Sequence, residues 1–324
     1  MPQESHNLMS TATITPASAA EVKTGGHTGG HIVPTDQFPQ KFNQHPFLFH
    51  HNLANHPLFT VDRLKELALE TRTKRPQELY YDAGHNVGIG TKWNEMGARP
   101  ELEEAFERIE DTGSWITIHQ AQLDPEYGEV FNGCMREFET LTGLDFRKMM
   151  RVEDALIFIT SPNRTTTYHI DRECNFLLQI RGEKTIYMFD QRDKEVVPET
   201  ELEAFWAVDK NAGTYKPELQ DRATPYRLIP GNGIHIPIND PHWLQNDNNV
   251  SVSLSVNFTL KDSERANIYR ANYFLRKAGL NPAPPFRSAV ADGLKNAMMN
   301  ASYVPARSAI RTLRRLRGQE TRTS

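Results

Sequence analysis

The sequence predicts a mainly β fold with flanking helices. Two observations carry this. Between 150 and 260 strand-like runs follow one another with turn residues between them, at 155–160, 174–181, 184–190, 226–229, 233–238, 243–245 and 250–258. The last run alternates cleanly: Val250, Val252, Leu254, Val256 and Phe258 take one side, and Ser251, Ser253, Ser255 and Asn257 take the other. That is the period of a strand with one apolar face. Small polar residues on the second face leave room for a ligand.

Bulk properties narrow the class. A chain of 324 residues allows one large domain with appendages or two small ones, and 38% hydrophobic residues supply a sizeable core. A net charge of -4 argues against a wholesale nucleic-acid binder. Cys134 and Cys174 are the two cysteines, too few for a disulfide framework and suited to a reducing compartment. There is no basic segment followed by an apolar run, and no stretch near the roughly 20 apolar residues of a membrane span, so the expected location is cytoplasmic. Walker loops, Ser-His-Asp arrangements, zinc-type Cys pairs and internal repeats are missing from the sequence.

In chain order, residues 1–34 are rich in Ser, Thr, Ala and Gly and read as a disordered tail. Residues 35–150 read as a mixed helical region packing on the core. His45, His50, His51 and His56 lie within it without a metal-ligand spacing. Thr60 suits the N-cap of a helix to about Thr71, with Val61, Leu64, Leu67 and Ala68 on one face. Residues 79–82 and 115–121 read as strands. Pro100 opens a helix carrying Leu102, Ala105, Phe106 and Ile109. Asp124-Pro125 starts a longer one through Tyr127, Phe131, Met135, Phe138 and Leu141, stopped by Gly143. Residues 151–260 form the barrel. Within it, 191–203 reads as a charged, exposed loop, and 204–225 as an insertion serving as a lid or as packing. Residues 261–324 form a helix to Ala278 ended by Gly279, a Pro-rich linker, and a tail with Arg307, Arg311, Arg314, Arg315, Arg317 and Arg322. The tail suits weak contact with an anionic surface; a solvated helix is the competing reading.

Chemistry concentrates in 166–190, TTYHIDRECNFLLQIRGEKTIYMFD. His169 and Asp171 are two apart in a strand and reach one point, as two thirds of a facial Fe(II) triad. Gly182-Glu183 suits a two-residue hairpin loop, pairing Arg181 with Lys184, Gln179 with Ile186, Leu177 with Met188 and Asn175 with Asp190. That register puts Asn175, Leu177, Gln179 and Lys184 on one cavity-facing side. Phe176, Leu178, Ile180, Tyr187 and Phe189 lie on the other, which needs a cover. The third ligand comes from 231–246, with His242 the candidate and His235 the competitor as a core histidine. Cys174 reads as a small buried residue beside the site.

These residues carry a resemblance. The pattern His169, Asp171, Asn175, Gly182 is similar to the first motif of the cupins, with Asp171 for the second His and Asn175 for the Glu. Gly231, Pro237, Asn239, His242 and Asn246 follow the second motif, with Asn239 in place of a Gly. The two departures in the first motif shift the site toward the His-Asp-His triad of Fe(II)/2-oxoglutarate oxygenases. Thr166, Asn175, Lys184 and Asn257 match the further positions of the JmjC branch, and the chain resembles in motif the asparaginyl hydroxylases of hypoxia-inducible factor.

The resemblance covers roughly 150–260 and implies a double-stranded β-helix. It implies Fe(II) held by His169, Asp171 and His242 as catalytic and metal residues, and 2-oxoglutarate held by Thr166, Asn175, Lys184 and Asn257. No cation lies between His242 and Lys261, so Lys184 is the candidate for the far carboxylate. O2 is the co-reactant, and the substrate is a protein side chain, tRNA or a small metabolite. A metal-binding cupin of other activity and a non-catalytic scaffold are the alternatives.

Overall fold

The computed structural model describes residues 30–84, 87–92, 99–261 and 263–316. Eleven strands are described: β1 Phe47–His50, β2 Leu79–Asp82, β3 Trp115–Ile118, β4 Met150–Thr160, β5 Thr165–His169, β6 Cys174–Arg181, β7 Lys184–Met188, β8 Thr224–Leu228, β9 Asn232–Ile236, β10 His242–Asn246 and β11 Ser251–Leu260. They make a seven-stranded sheet in the order β1-β9-β6-β11-β4-β3-β2 and a four-stranded sheet in the order β5-β10-β7-β8. Side chains of Leu177, Ile234 and Ile236 from the first meet Ile186, Met188, Leu228 and Leu244 from the second. The two sheets therefore face each other around a shared interior, and the fold is a double-stranded β-helix jelly roll.

The predicted 182–183 hairpin does not form. β6 already has β9 on one side and β11 on the other, so it offers no free edge to β7, which crosses into the smaller sheet. Gly182 turns that corner at φ 70°, and a Cβ there would lie 2.3 Å from the carbonyl oxygen of Val250. The face assignment survives the loss of the register. Leu177 and Ile186 meet in the interior, while Phe176, Leu178 and Ile180 join the outer core. Tyr187 and Phe189 pack with Tyr168, Val196 and Trp243 on the far side of the small sheet.

The cover on the large sheet is helical, as the alternation requires. α1 (Gln37–Lys41), α2 (Val61–Lys74), α3 (Leu102–Glu107) and α4 (Pro125–Thr142) precede the barrel. α2 is capped by Thr60, whose hydroxyl accepts from Arg63 N, and buries Leu64, Leu67 and Ala68. α4 starts at Asp124, whose carboxylate accepts from Glu126 N and Tyr127 N, and ends at Gly143 with φ 70°. Phe138 of α4 stacks on Phe176 of β6 at 3.8 Å between ring centroids. Such a pair adds roughly 1 kcal/mol beyond its buried area.

Several boundaries need correction. The strands expected at 79–82 and 115–121 form as β2 and β3, and 35–150 adds β1, which was not expected; together they cover β9 and β4, which would otherwise be bare edges of the barrel sheet. The expected disorder of 1–34 fails at its end. Ile32 is buried and bridges His51, and the His31 and Ile32 amides donate to the Glu137 carboxylate at 2.9 and 2.7 Å. Residues 1–29 lie outside the described residues. The loop expected to be exposed at 191–203 buries Val196, Val197 and Leu202, and runs into α5 (Glu199–Ala207). Its Glu203 is buried against Arg276 at 2.8 Å. After the barrel come α6 (Ser263–Lys277), ended by Gly279 at φ 83°, and α7 (Ala289–Leu316). Arg317 and Arg322 lie outside the described residues. No helix among the described residues is long and apolar enough to cross a membrane.

Candidate metal centre

β5 and β10 bring the two candidate histidines together. His169 lies opposite His242, with ring centroids 4.2 Å apart. The ladder slips by one residue between this pair and the next, Leu244 with Thr166. Opposite residues share a face, and Leu244 belongs to the interior cluster. The bulge therefore turns Thr166 inward together with His169, although a regular strand would send residues three apart to opposite faces. Sequence spacing alone gives no sign of this.

Asp171 follows just past the end of β5. Its Oδ2 is 3.9 Å from His169 Nε2 and 3.7 Å from His242 Nε2. One ligand atom from each of the three lies within 4.8 Å of the others, the one such cluster among the described residues. Both imidazoles are oriented by carbonyls two residues upstream. His169 Nδ1 donates to Thr167 O at 2.6 Å and His242 Nδ1 to Asp240 O at 3.0 Å. A carbonyl can only accept, so each Nδ1 carries a proton, and each Nε2 faces Asp171. Burial and the neighbouring His169 push His242 down to about 4, which keeps it neutral. Two imidazoles and a carboxylate suit a divalent first-row ion such as Fe(II) and leave one side open.

His235 is a core histidine, as the competing reading had it. It is fully buried among Phe42, Phe47 and Phe176, accepts from Asn43 N at 2.8 Å and donates to Asn175 O at 3.0 Å. Burial holds it at about 3. Cys174 is likewise fully buried and its thiol is pushed up. His45, His50, His51 and His56 form no metal cluster.

The inner face of the large sheet is a polar ladder. Ser253 donates to Gln179 Oε1 at 2.7 Å, and Gln179 Nε2 donates to Ser251 Oγ at 2.9 Å. The Ser255 hydroxyl is 2.8 Å from Asn175 Oδ1 and 3.0 Å from Asn257 Oδ1. Asn175 and Asn257 are register partners on β6 and β11, both buried. Across the interior, Lys184 shares the inward face of β7 with Ile186 and Met188. It is 4% exposed, and no ion pair or hydrogen bond of its ammonium is found among the described residues. Burial alone lowers it to about 7. A buried ammonium without a counter-charge is a strong demand for an anion. Met188 pairs with His242 and Lys184 with Asn246, so four residues of strand, roughly 13 Å, separate the metal level from the lysine backbone. An extended lysine side chain and a small dicarboxylate fill such a span.

The start of β5 is fixed independently. Arg164 donates to Asp82 Oδ1 at 2.6 Å and to the carbonyls of Gly84 and Gly113. Burial raises Asp82 and lowers Arg164, so this pair holds position more than it adds stability. At the outer end, Lys92, Tyr168, Ile170, Lys210, Asn211 and Gly213 line a small depression beside His169. Residues 204–225 thus reach the rim, with Phe205 and Trp206 buried.

The fold is shared with Escherichia coli YcfD. The chain aligns with it at a TM-score of 0.50 and 17% identity, over 85% of this chain and 69% of that one. A second structure, of YcfD described as a ribosomal oxygenase, aligns at 0.48 and 16% identity over 83% and 65%. A third, of YcfD with cobalt and 2-oxoglutarate, aligns at 0.48 and 17% over 78% and 59%, so the chain spans about three fifths of it. No protein-family profile matches the chain. No curated protein sequence matches it either.

Proposed function

We propose that this chain is an Fe(II)- and 2-oxoglutarate-dependent oxygenase, a hydroxylase of JmjC type. The observation that carries the reading is Lys184, a buried and unpaired ammonium that shares one interior with the His169, Asp171 and His242 cluster. A cupin of other activity or a scaffold has no need of that cation. The matches at Thr166, Asn175, Lys184 and Asn257 to the asparaginyl hydroxylases support the same cosubstrate arrangement.

His169, Asp171 and His242 hold the metal. Lys184 takes the far carboxylate of 2-oxoglutarate, with the inward Thr166 hydroxyl as a second donor. Asn175 and Asn257 orient the near end through their amide groups, which Ser255 holds by their oxygens. When bound, iron and 2-oxoglutarate supply an oxidative decarboxylation by O2 coupled to hydroxylation of a C–H bond, with succinate and CO2 as products. The apolar residues Leu177, Ile186, Met188 and Leu244 exclude water from the space between triad and lysine.

The test is succinate formation from 2-oxoglutarate by the Fe(II)-loaded protein. Turnover is expected in the parent and absent in Asp171→Ala. Succinate formed equally by both, or by neither, refutes the reading.

A further inference from the structure

The residue that departs from the Gly of the second motif, Asn239, lies where three parts of the metal centre meet. It is fully buried and left-handed, at φ 69°. Glycine takes that conformation without a Cβ penalty. Asparagine is kept here, and its backbone N–H and both polar atoms of its side chain are engaged. Its backbone N–H donates to the carbonyl of Asp171 at 3.0 Å. Its Oδ1 accepts from the indole N–H of Trp206 at 2.9 Å. Its Nδ2 donates to Gln191 Oε1 at 3.4 Å. Gln191 in turn donates to Ile238 O at 2.7 Å and to Asp240 Oδ1 at 3.0 Å, gripping the turn that delivers His242. On the other side, the Arg172 guanidinium, next to Asp171 in the chain, lies 4.8 Å over Phe205 and 5.4 Å over Trp206. The helix 199–207 therefore grips the Asp171 arm twice, once by stacking and once through Asn239.

We propose that Asn239 is the positioning residue of the metal centre, and that with Trp206 it locks the Asp171 arm and the His242 turn into one frame. The inference rests on the triad reading of the proposed function. Of the three ligands, Asp171 depends on this frame most directly, because it lies beyond the end of β5 while His169 and His242 sit in paired strands. The segment 199–207 then acts as a fixed clamp on the metal ligands.

The experiment is a Co(II) titration of the metal-free full-length protein, followed by visible absorption, with thermal melting of the metal-free form alongside. Asn239→Gly relaxes the backbone while removing both side-chain bonds, so its melting temperature is expected to stay near that of the parent. Its Co(II) dissociation constant is expected to rise roughly ten- to a hundred-fold, the usual effect of losing an outer-shell partner, with an altered ligand-field band. Trp206→Phe, which keeps the packing and removes the indole N–H, is expected to shift both in the same direction, and carries the test if the glycine variant does not fold. In an Asp171→Ala background the further loss of Co(II) affinity should be much smaller than in the parent. Parent-like affinity and spectrum in both variants overturns the proposal, as does an equal loss with and without Asp171. A parent that binds no Co(II), or an Asp171→Ala that binds it as tightly as the parent, removes the triad itself and the inference with it.

Discussion

Lys184→Met is the sharpest test of the cosubstrate site, because it removes the charge and keeps most of the volume. The ammonium is held at about 7, against an ordinary 10.5, by burial alone. Such a lowering marks an ammonium whose lost hydration nothing in the protein offsets, a cost on the order of several kcal/mol. An arriving carboxylate offsets it. Methionine leaves that carboxylate buried without a partner, at a cost of roughly 3–5 kcal/mol, or roughly a hundred- to several thousand-fold in dissociation constant.

The sign of the pH dependence follows. Between about 7 and 10.5 the unfolded chain carries a proton on Lys184 that the folded, ligand-free chain has lost. Stability of the ligand-free protein therefore rises with pH across that window and is lowest below it. Anion binding above about pH 7 must take up the proton again. Affinity for 2-oxoglutarate then weakens as pH rises, by about tenfold per unit. Calorimetry of the metal-loaded protein in buffers of different ionisation enthalpy reads both the affinity and the proton uptake. Lys184→Met should bind metal normally, bind 2-oxoglutarate at least a hundred-fold more weakly, and show no proton uptake. Binding within a few-fold of the parent, or an unchanged proton uptake, refutes the assignment of the far carboxylate to Lys184.

Other predictions are simpler. Asn175→Ala or Asn257→Ala should weaken 2-oxoglutarate binding by roughly 1–3 kcal/mol, the scale of a lost buried partner, while circular dichroism stays that of the parent. His235→Ala should cost roughly 2–4 kcal/mol of stability in denaturant melts, through the cavity and the orphaned Asn43 amide, and leave metal affinity unchanged. His51, His235 and His242 are depressed from 6.5 to about 4, 3 and 4 by burial. Their unfolded forms take up protons first, so stability should fall as pH drops from about 6.5 toward those values, which acid melts of the metal-free protein would show.

Local pattern was enough for much of this protein. The alternation along Val252, Leu254, Val256 and Phe258 declared an outer face and a polar inner face, and both are found. Thr60, Asp124 and Gly143 marked helix ends because caps are satisfied within a few residues. The candidate ligands His169, Asp171 and His242 were legible as residue types at the spacings of the family that the chain resembles. Their meeting was decided elsewhere, since spacing does not say which strands are neighbours. Gly182-Glu183 has the chemistry of a hairpin, and only the occupation of both edges of β6 sends β7 to the other sheet. The inward turn of Thr166 depends on a bulge that exists only against β10. The unpaired state of Lys184 is a property of its surroundings, as any buried charge is. Asn239 stood out in the sequence as a departure from Gly, but its reason, the indole of Trp206, lies thirty-three residues away and is supplied by the tertiary fold.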